Sequence, residues 1–571
     1  MLKKPMFTSQ DVVPDYADMN MYEYLKACLF PYKDDYPMFQ FKFTDHMKSE
    51  FFNDVEAFAV YFKEELGMQP GDAYSLFTPN TIEEIVMLFA LNKIGCIANL
   101  IHPLFTPDAM KTSVEYTKSK GVMLYDMFVP GHAGALQALF ESGRDIIVTS
   151  PKVYAAPVAM KGFIRPDEEL MKAAEGKFSY KFYGDILKKY EGQVTEGLYR
   201  SGDMVAVYMN GGGTTGVSRT IMLSSIALNA VTKNALVPVT ASEDHRPGKY
   251  SKPLALPFFH AYGLCGGLLC TMYSGNKSIP MAKFDADEFI EILKRNECYE
   301  IIGVPNMHRK LINHPEFKGD HLKSVGYAFA GGDYVPTDFL RQYNEVMAEC
   351  GSTCTLMPGY GLTEVGAVDC INMPWLTKPG TVGAPLKTVH ACIFDDEQNE
   401  VPFGTVGEIA FTGNTLMKGY LMPDGRMGEG LYTDKDGRQW VLTGDLGKMD
   451  EDRYITFVAR KKRVIIISGY NVFPADIENL LEPLPFLLEC CAAQGYDEEK
   501  KPIVRLHIVL TPDADPAKLD EYKKIIMDTC ATLDSFAVPR EIKVLDALPR
   551  TRMEKIDFLK LTEIPDADAK T

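Results

Sequence analysis

Residues 209–225, MNGGGTTGVSRTIMLSS, place three consecutive glycines and two threonines at the end of an apolar run. Glycine lets a backbone approach a ligand closely and adopt positive φ, and exposed amide N–H groups with threonine hydroxyls donate hydrogen bonds to phosphate oxygens. The chemistry these residues suit is a phosphate cradle. They equally suit a flexible hairpin turn, and on their own they leave both readings open. Two familiar cradles are excluded by the spelling. A Walker loop needs Lys and then Ser or Thr directly after its last glycine, but Gly216 is followed by Val217 and Ser218. A dinucleotide-binding GxGxxG turn must open a helix, whereas RTIMLS, residues 219–224, reads as a strand.

Such a loop has to be held by regular elements on both sides. MVAVYM (204–209) is a short apolar run that predicts a buried strand, so the glycine loop is predicted to join two strands in a hairpin. Ser225 is placed to N-cap a helix through IALNAVTKNAL. Upstream, residues 53–65 carry helical spacing, 73–78 read as a strand and 82–93 as a helix, with Pro-Gly at 70–71 and Pro-Asn at 79–80 as breaks. This alternation predicts a layered α/β domain. After RKKR (460–463) come a helical PADIENLL, a strand at 504–510, a helix at 519–533 and a strand at 541–545. They make an α+β unit of about 110 residues, within the usual size of a small domain.

GGGTTGVSRTIMLS resembles the signature loop of the adenylate-forming superfamily, usually spelled SGTTGxPKGVMLSH, with Gly212 in place of the serine, Ser218 of the proline, Arg219 of the lysine, Thr220 of a glycine and Ser225 of the histidine. Further motifs follow in family order: LPFFHAYGL (256–264), AGGD (330–333), GYGLTE (359–364), PGTVGAP (379–385), GTVGE (404–408), WVLTGDL (440–446), RKKRVIIISG (460–469) and PADIE (474–478). PRTRMEKI (549–556) closes the series, with Glu554 where the family has glycine. The chain is thereby identified as a member of the acyl-CoA synthetase branch. The resemblance implies an α/β fold with a large multi-layer N-terminal domain of sheets flanked by helices (1–459), a hinge (460–462) and a small mobile α+β C-terminal lid domain (463–571).

It also implies a reaction: a carboxylate attacks the α-phosphate of ATP to give an acyl-adenylate, and the acyl group then passes to a thiol. By resemblance, Thr214, Thr215 and Gly216 hold the β- and γ-phosphates, and Arg219 keeps the usual positive charge there in a forked geometry able to clamp phosphate. Gly332 and Asp333 border adenine, Tyr360 and Gly361 complete that side, Thr363 reaches the α-phosphate, and Glu364 ligates Mg²⁺, a hard cation that favours carboxylate oxygen. Asp445 binds the ribose with help from Arg460. Lys555 bridges the acid carboxylate and the α-phosphate as a compact point charge. Lys462 is the hinge, and Ser468 and Gly469 line the passage for the pantetheine arm of coenzyme A.

His260 resembles the family histidine near the acid. With Phe258, Phe259, Tyr262, Gly263 and Gly266 it predicts an apolar channel, hence an apolar monocarboxylate, fatty acids ahead of aryl or bile acids. Coenzyme A is the expected acceptor, and a separate carrier protein is the alternative. A nucleotide-binding pseudoenzyme is a third reading, motivated by the substitutions at 218–220 and 554 and opposed by the intact Glu364, Asp445, Arg460 and Lys555.

The formal net charge of −17 over 571 residues opposes the basic footprint that nucleic-acid binding requires. The twelve cysteines fit no zinc spacing and predict reduced thiols. The N-terminus has no apolar signal core and no run reaches the roughly 18 apolar residues of a membrane span, so a cytoplasmic location is expected. Oligomeric state is not encoded in any of these features.

Overall fold

A computed structural model describes residues 18–156, 160–161, 164–197, 201–210, 219–235, 246–373, 376–422, 427–428, 430–467, 470–550 and 556–562. The chain divides into two compact units, the larger drawn from residues 1–211, 219–391 and 411–441, the smaller including 392–410 and 442–571.

The larger unit is layered α/β. Its main sheet has nine strands, in the order Met427–Gly428, Gly419–Leu421, Thr220–Ser224, Val205–Asn210, Ile97–Leu100, Ala73–Phe77, Gly121–Tyr125, Asp145–Thr149 and Lys181–Phe182. From Val205–Asn210 to Lys181–Phe182 every pairing is parallel. The buried, nearly continuous apolar character of these strands is what a parallel sheet covered on both faces demands. Val205–Asn210 and Thr220–Ser224 pair antiparallel, with Asn210 opposite Thr220, so the glycine loop does connect a hairpin. The helix Ser225–Ala235 follows as expected. Its first turn is held by Ser224 rather than Ser225: the Ser224 hydroxyl accepts from the Ala227 amide (3.2 Å), while Ser225 Oγ accepts from Asn92 (3.1 Å).

The helix expected at 82–93 spans Ile82–Lys93, and all twelve of its residues are buried. Thr81 caps it by accepting from the Glu84 amide. The helix expected at 53–65 starts earlier, at Lys48, and ends in a π-turn over Tyr61–Glu65. A second sheet sets Glu300–Gly303, Tyr327–Ala330 and Leu356–Tyr360 in parallel, and a third pairs Ser251–Leu254, Lys277–Pro280 and Pro37–Phe41 in parallel.

The smaller unit has its own core. Leu487–Tyr496, Pro502–Leu510 and Glu541–Val544 form a three-stranded sheet, and helices Pro474–Leu481 and Leu519–Cys530 contribute Ile477, Leu481, Ile526 and Cys530 to the cluster beneath it. Within this unit the strand Ile455–Arg460 is laddered antiparallel to residues 445–449. No helix among the described residues is long and apolar enough to cross a membrane. No two of the twelve cysteines are joined in a disulfide.

Candidate adenylate-forming site

In the larger unit the motif segments leave the carboxyl ends of parallel strands, the edge at which open α/β sheets bind ligands. LPFFHAYGL follows Ser251–Leu254, AGGD begins at the end of Tyr327–Ala330, and GYGLTE spans the end of Leu356–Tyr360. One side chain links the first two of these. The Tyr262 hydroxyl donates to the carbonyl of Phe329 (3.3 Å), and its ring lies so near Gly331 that a Cβ there would sit 3.5 Å from it. His308 Nε2 meets the same Phe329 carbonyl at 2.9 Å.

The segment carrying His260 is braced from several directions. Asn80 Nδ2 donates to the carbonyls of Leu254 (2.9 Å) and Leu256 (2.8 Å), and Asn80 Oδ1 accepts from the Phe258 amide (2.9 Å). The chain then winds into a π-helix, Tyr262–Leu269, a form that departs from the i→i+4 ladder and recurs at functional sites. The buried Lys252 ammonium donates to the Gly266 carbonyl and is paired with Glu300, both at 2.8 Å. Half-buried His260 packs against Phe259 (ring centroids 4.8 Å apart), which in turn packs on His102 (4.4 Å).

Glu364 lies in a short 3₁₀ turn, Thr363–Val365. The chain can double back there because Gly361 has no side chain: a Cβ would lie 1.8 Å from the Ala367 carbonyl oxygen. The turn is strained, since Ala367 holds φ at 145° without being glycine. One Glu364 oxygen accepts from the Tyr420 hydroxyl (3.1 Å), and the Arg219 guanidinium lies over the Tyr420 ring, 5.0 Å from its centroid. Burial, and then the neighbouring Glu364 charge, push the Tyr420 hydroxyl up to about 12, so it stays protonated as a donor at neutral pH. Tyr360 packs 6.0 Å from Phe411. Gly332 occupies a left-handed turn (φ 81°), and the exposed Asp333 accepts from the Tyr334 amide.

The smaller unit holds Asp445 and Arg460 opposite one another on paired strands, with Arg460 Nε 3.1 Å from Asp445 Oδ1. The carboxylate is 3% exposed and the arginine 58%, so the aspartate is fixed while the guanidinium reaches solvent. Thr443 Oγ1 accepts from the Asp445 amide and donates to the Ile409 carbonyl, and Glu408 accepts from the Gly444 amide (2.8 Å). Glu408, the acid of GTVGE, thus shapes the turn that aims Asp445, and its other oxygen is 3.1 Å from Lys461. Lys462 is exposed in the 3₁₀ turn Lys461–Arg463.

The structure therefore groups Arg219 with Glu364, sets His260 after Ser251–Leu254 and Gly332 and Asp333 after Tyr327–Ala330, two exits linked by Tyr262, and pairs Asp445 with Arg460. Thr214, Thr215, Gly216, Ser468, Gly469 and Lys555 lie outside the described residues. Tyr420, Asn80 and Lys252 escape motif reading, although the apolar run preceding Asn80 and the Gly-Tyr pair at 419–420 mark a strand exit and a strand. Among the described residues no group of three or more His, Cys, Asp or Glu gathers to hold a metal. A lone half-buried carboxylate such as Glu364 fits Mg²⁺, which is bound by one or two protein oxygens with substrate phosphates and water completing its shell.

Residues 34–421 match the model of the family described as AMP-binding enzyme, and residues 476–555 match that of its C-terminal domain. The long-chain-fatty-acid–CoA ligase of Bacillus subtilis (strain 168) is 26% identical over 548 residues, covering 94% of this chain and 92% of that protein. The feruloyl-CoA synthase of an Amycolatopsis species is 27% identical, covering 86% of this chain and 88% of its own. Among solved structures, ATP-bound MatB from Rhodopseudomonas palustris shares the fold with a TM-score of 0.75 at 23% identity, covering 95% of this chain and 98% of that one. An anthranilate CoA ligase, AuaEII, in complex with anthranoyl-AMP does so at 0.77 and 18% identity, covering 95% and 96%. With matching models over most of its length and its motifs seated at the strand exits, the chain belongs to the AMP-binding enzyme family, in the acyl-CoA synthetase branch of the adenylate-forming superfamily.

Proposed function

We propose that the protein is an AMP-forming acid–CoA ligase acting on an apolar monocarboxylic acid, fatty acids foremost. The observation that carries this reading is the grouping of Arg219, Tyr420 and Glu364: a cation and a carboxylate joined through one phenol at a strand exit, next to the hairpin that opens into the glycine loop. Such a grouping suits a polyphosphate and its counter-ion.

In this reading Glu364 takes Mg²⁺, which neutralises the phosphates when bound, while Arg219 and the threonines of 214–215 hold the outer phosphates. Asp445 accepts from the ribose hydroxyls, Arg460 orients it, and Lys555 draws carboxylate and α-phosphate together. Neutralising two anions and fixing their approach is the main task of the first step, because proximity and preorganised charge together account for most of the barrier reduction in reactions of this kind. Rotation about residues 460–462 then exchanges the Lys555 loop for Ser468 and Gly469, which admit the thiol. The boundary between the two matched family regions, after 421 and before 476, supports a pivot in this interval.

The aromatic segment 258–262 supports an apolar acid, and relatives named for long-chain fatty acids support a fatty one, beside a relative named for feruloyl-CoA that keeps an aryl acid as the second reading. The test is mass spectrometry of acyl-CoA products after mixing the protein with MgATP, coenzyme A and a pool of fatty, aryl and bile acids. Fatty acyl-CoA is expected. Aryl-CoA alone would reassign the pocket. Acid-dependent pyrophosphate release without any thioester would point to a carrier protein as acceptor, and neither product would favour a nucleotide-binding pseudoenzyme.

A further inference from the structure

We infer that Asn80 is a positioning residue for the acid pocket, setting the place of Phe258, Phe259 and His260 without touching the substrate itself. The inference rests on the proposed reading of that segment as the acid-binding wall. Asn80 sits just past the end of the strand Ala73–Phe77, on a different sheet from the segment it holds. Its amide is buried, and both of its donor bonds and its acceptor bond go to the backbone of residues 254–258.

Three features make this more than ordinary packing. The bonds cross 174 to 178 residues of sequence, so they fix one sheet's exit loop against another's. They bind the carbonyl of Leu254, the strand's last residue, and then the Leu256 carbonyl and Phe258 amide in the stretch between the strand and the π-helix. Finally, the next side chains along are the aromatic pair Phe259 and His260, the former packed on His102 from the neighbouring strand exit. An asparagine presents two N–H donors and a carbonyl acceptor at once, and no other neutral side chain of that size does so. The substitution Asn80→Asp would keep the acceptor for Phe258 and set an oxygen against two carbonyls, of which Leu254 still accepts from the Met281 amide while Leu256 loses the Asn80 donor.

The experiment compares the whole protein with its N80D and N80A variants, using hexanoate, decanoate, hexadecanoate and ferulate as probes with MgATP and coenzyme A. Hydrogen–deuterium exchange over residues 254–264 is recorded on the same samples. The expected result is a rise in acid KM, on the order of 10- to 100-fold as misplacement of a positioning group costs, with a changed order of preference among the acids. The KM for ATP stays within about twofold, and exchange rises in 254–264 but not in 73–77. Equal loss toward every acid and toward ATP would reduce Asn80 to a general stability residue and overturn the inference, as would unchanged exchange in 254–264. Should the unmodified protein turn over none of the four acids, the substrate reading fails, and the exchange data still decide whether Asn80 holds the segment. Should N80A not fold, N80D carries the comparison alone.

Discussion

Two regions of the larger unit place acids at the carboxyl ends of parallel strands, and only one of them has the makings of a ligand site. At the end of Leu356–Tyr360, Glu364 is half-buried, hydrogen-bonded through one oxygen to Tyr420 and close to the Arg219 cation. At the ends of Gly121–Tyr125 and Asp145–Thr149, the helix Ile82–Lys93 inserts Glu83 and Glu84 in full burial. Glu83 accepts long bonds from Tyr125 and Thr149, each 3.4 Å. Burial pushes the Glu83 carboxyl up to about 8 and Glu84 well above the carboxylate range. Position at a strand exit is therefore not enough. A carboxylate that is to meet a cation keeps access to water and a charged neighbour, whereas one sealed under a helix gives up its charge and serves as a neutral hydrogen-bonding group.

The contrast predicts opposite behaviour on neutralising each acid. Glu364→Gln is expected to lower the rate of acid-dependent pyrophosphate release by about 100- to 1,000-fold, as loss of a preorganised charge does, with an unchanged thermal midpoint. A rate within a few-fold of the parent would remove Glu364 from the proposed metal site. In the smaller unit, Asp445→Asn should raise the KM for ATP by about 10- to 100-fold, the worth of hydrogen bonds to a charged group. Little stability should be lost there, because its partner Arg460 is largely exposed. Steady-state kinetics with varied ATP measure this. Tyr420→Phe keeps the ring beneath Arg219 and deletes the hydroxyl, so a loss of about three- to tenfold in rate is expected from one hydrogen bond. A loss as large as that of Glu364→Gln would mean that the phenol itself meets the substrate.

The smallest kinetic effect belongs to Glu83→Gln, which should leave turnover unaltered and change only the pH dependence of stability. The folded protein keeps a proton on Glu83 that the unfolded chain releases near the ordinary value of 4.5. The stabilisation is complete below that value and is lost as pH rises through about 8, so the thermal midpoint of the parent falls across this window. Glu83→Gln should fall less steeply, and identical slopes in the two proteins would show that Glu83 is ionised in the folded state throughout.

The hairpin around the glycine loop and the helix at 82–93 were legible because local apolar pattern sets both. The all-round burial of that helix was not, since Glu83 and Lys93 look like a solvent face until Tyr125, Thr149 and Glu56 are brought to meet them. The Ser224 cap lay one residue from the expected position, as fits the uncertainty of a helix boundary next to a strand. Within the site, Glu364, Asp445 and Arg460 were marked by contiguous motifs. Asn80 and Tyr420 act through partners 174 and 56 residues away, a distance at which a single sequence carries no pattern. The π-helix was equally hidden, its Lys252–Gly266 bond being a tertiary contact.

The seating of the motif loops on strand exits has a bearing on how this protein can change. The strands beneath them are sealed in the interior and tolerate few substitutions, whereas an exit loop can vary at the positions that do not bond to neighbouring exits as Tyr262 and the backbone held by Asn80 do. On the proposed reading the acid is met by the exit after Leu254 and the nucleotide by the exits after Ala330 and Tyr360, with Tyr262 as the link from the first to the second. A library confined to residues 257–261, which spares Tyr262 and the closely packed Gly263, should diversify the acids accepted while the nucleotide half of the reaction stays constant, which makes this stretch the natural place to begin redesign.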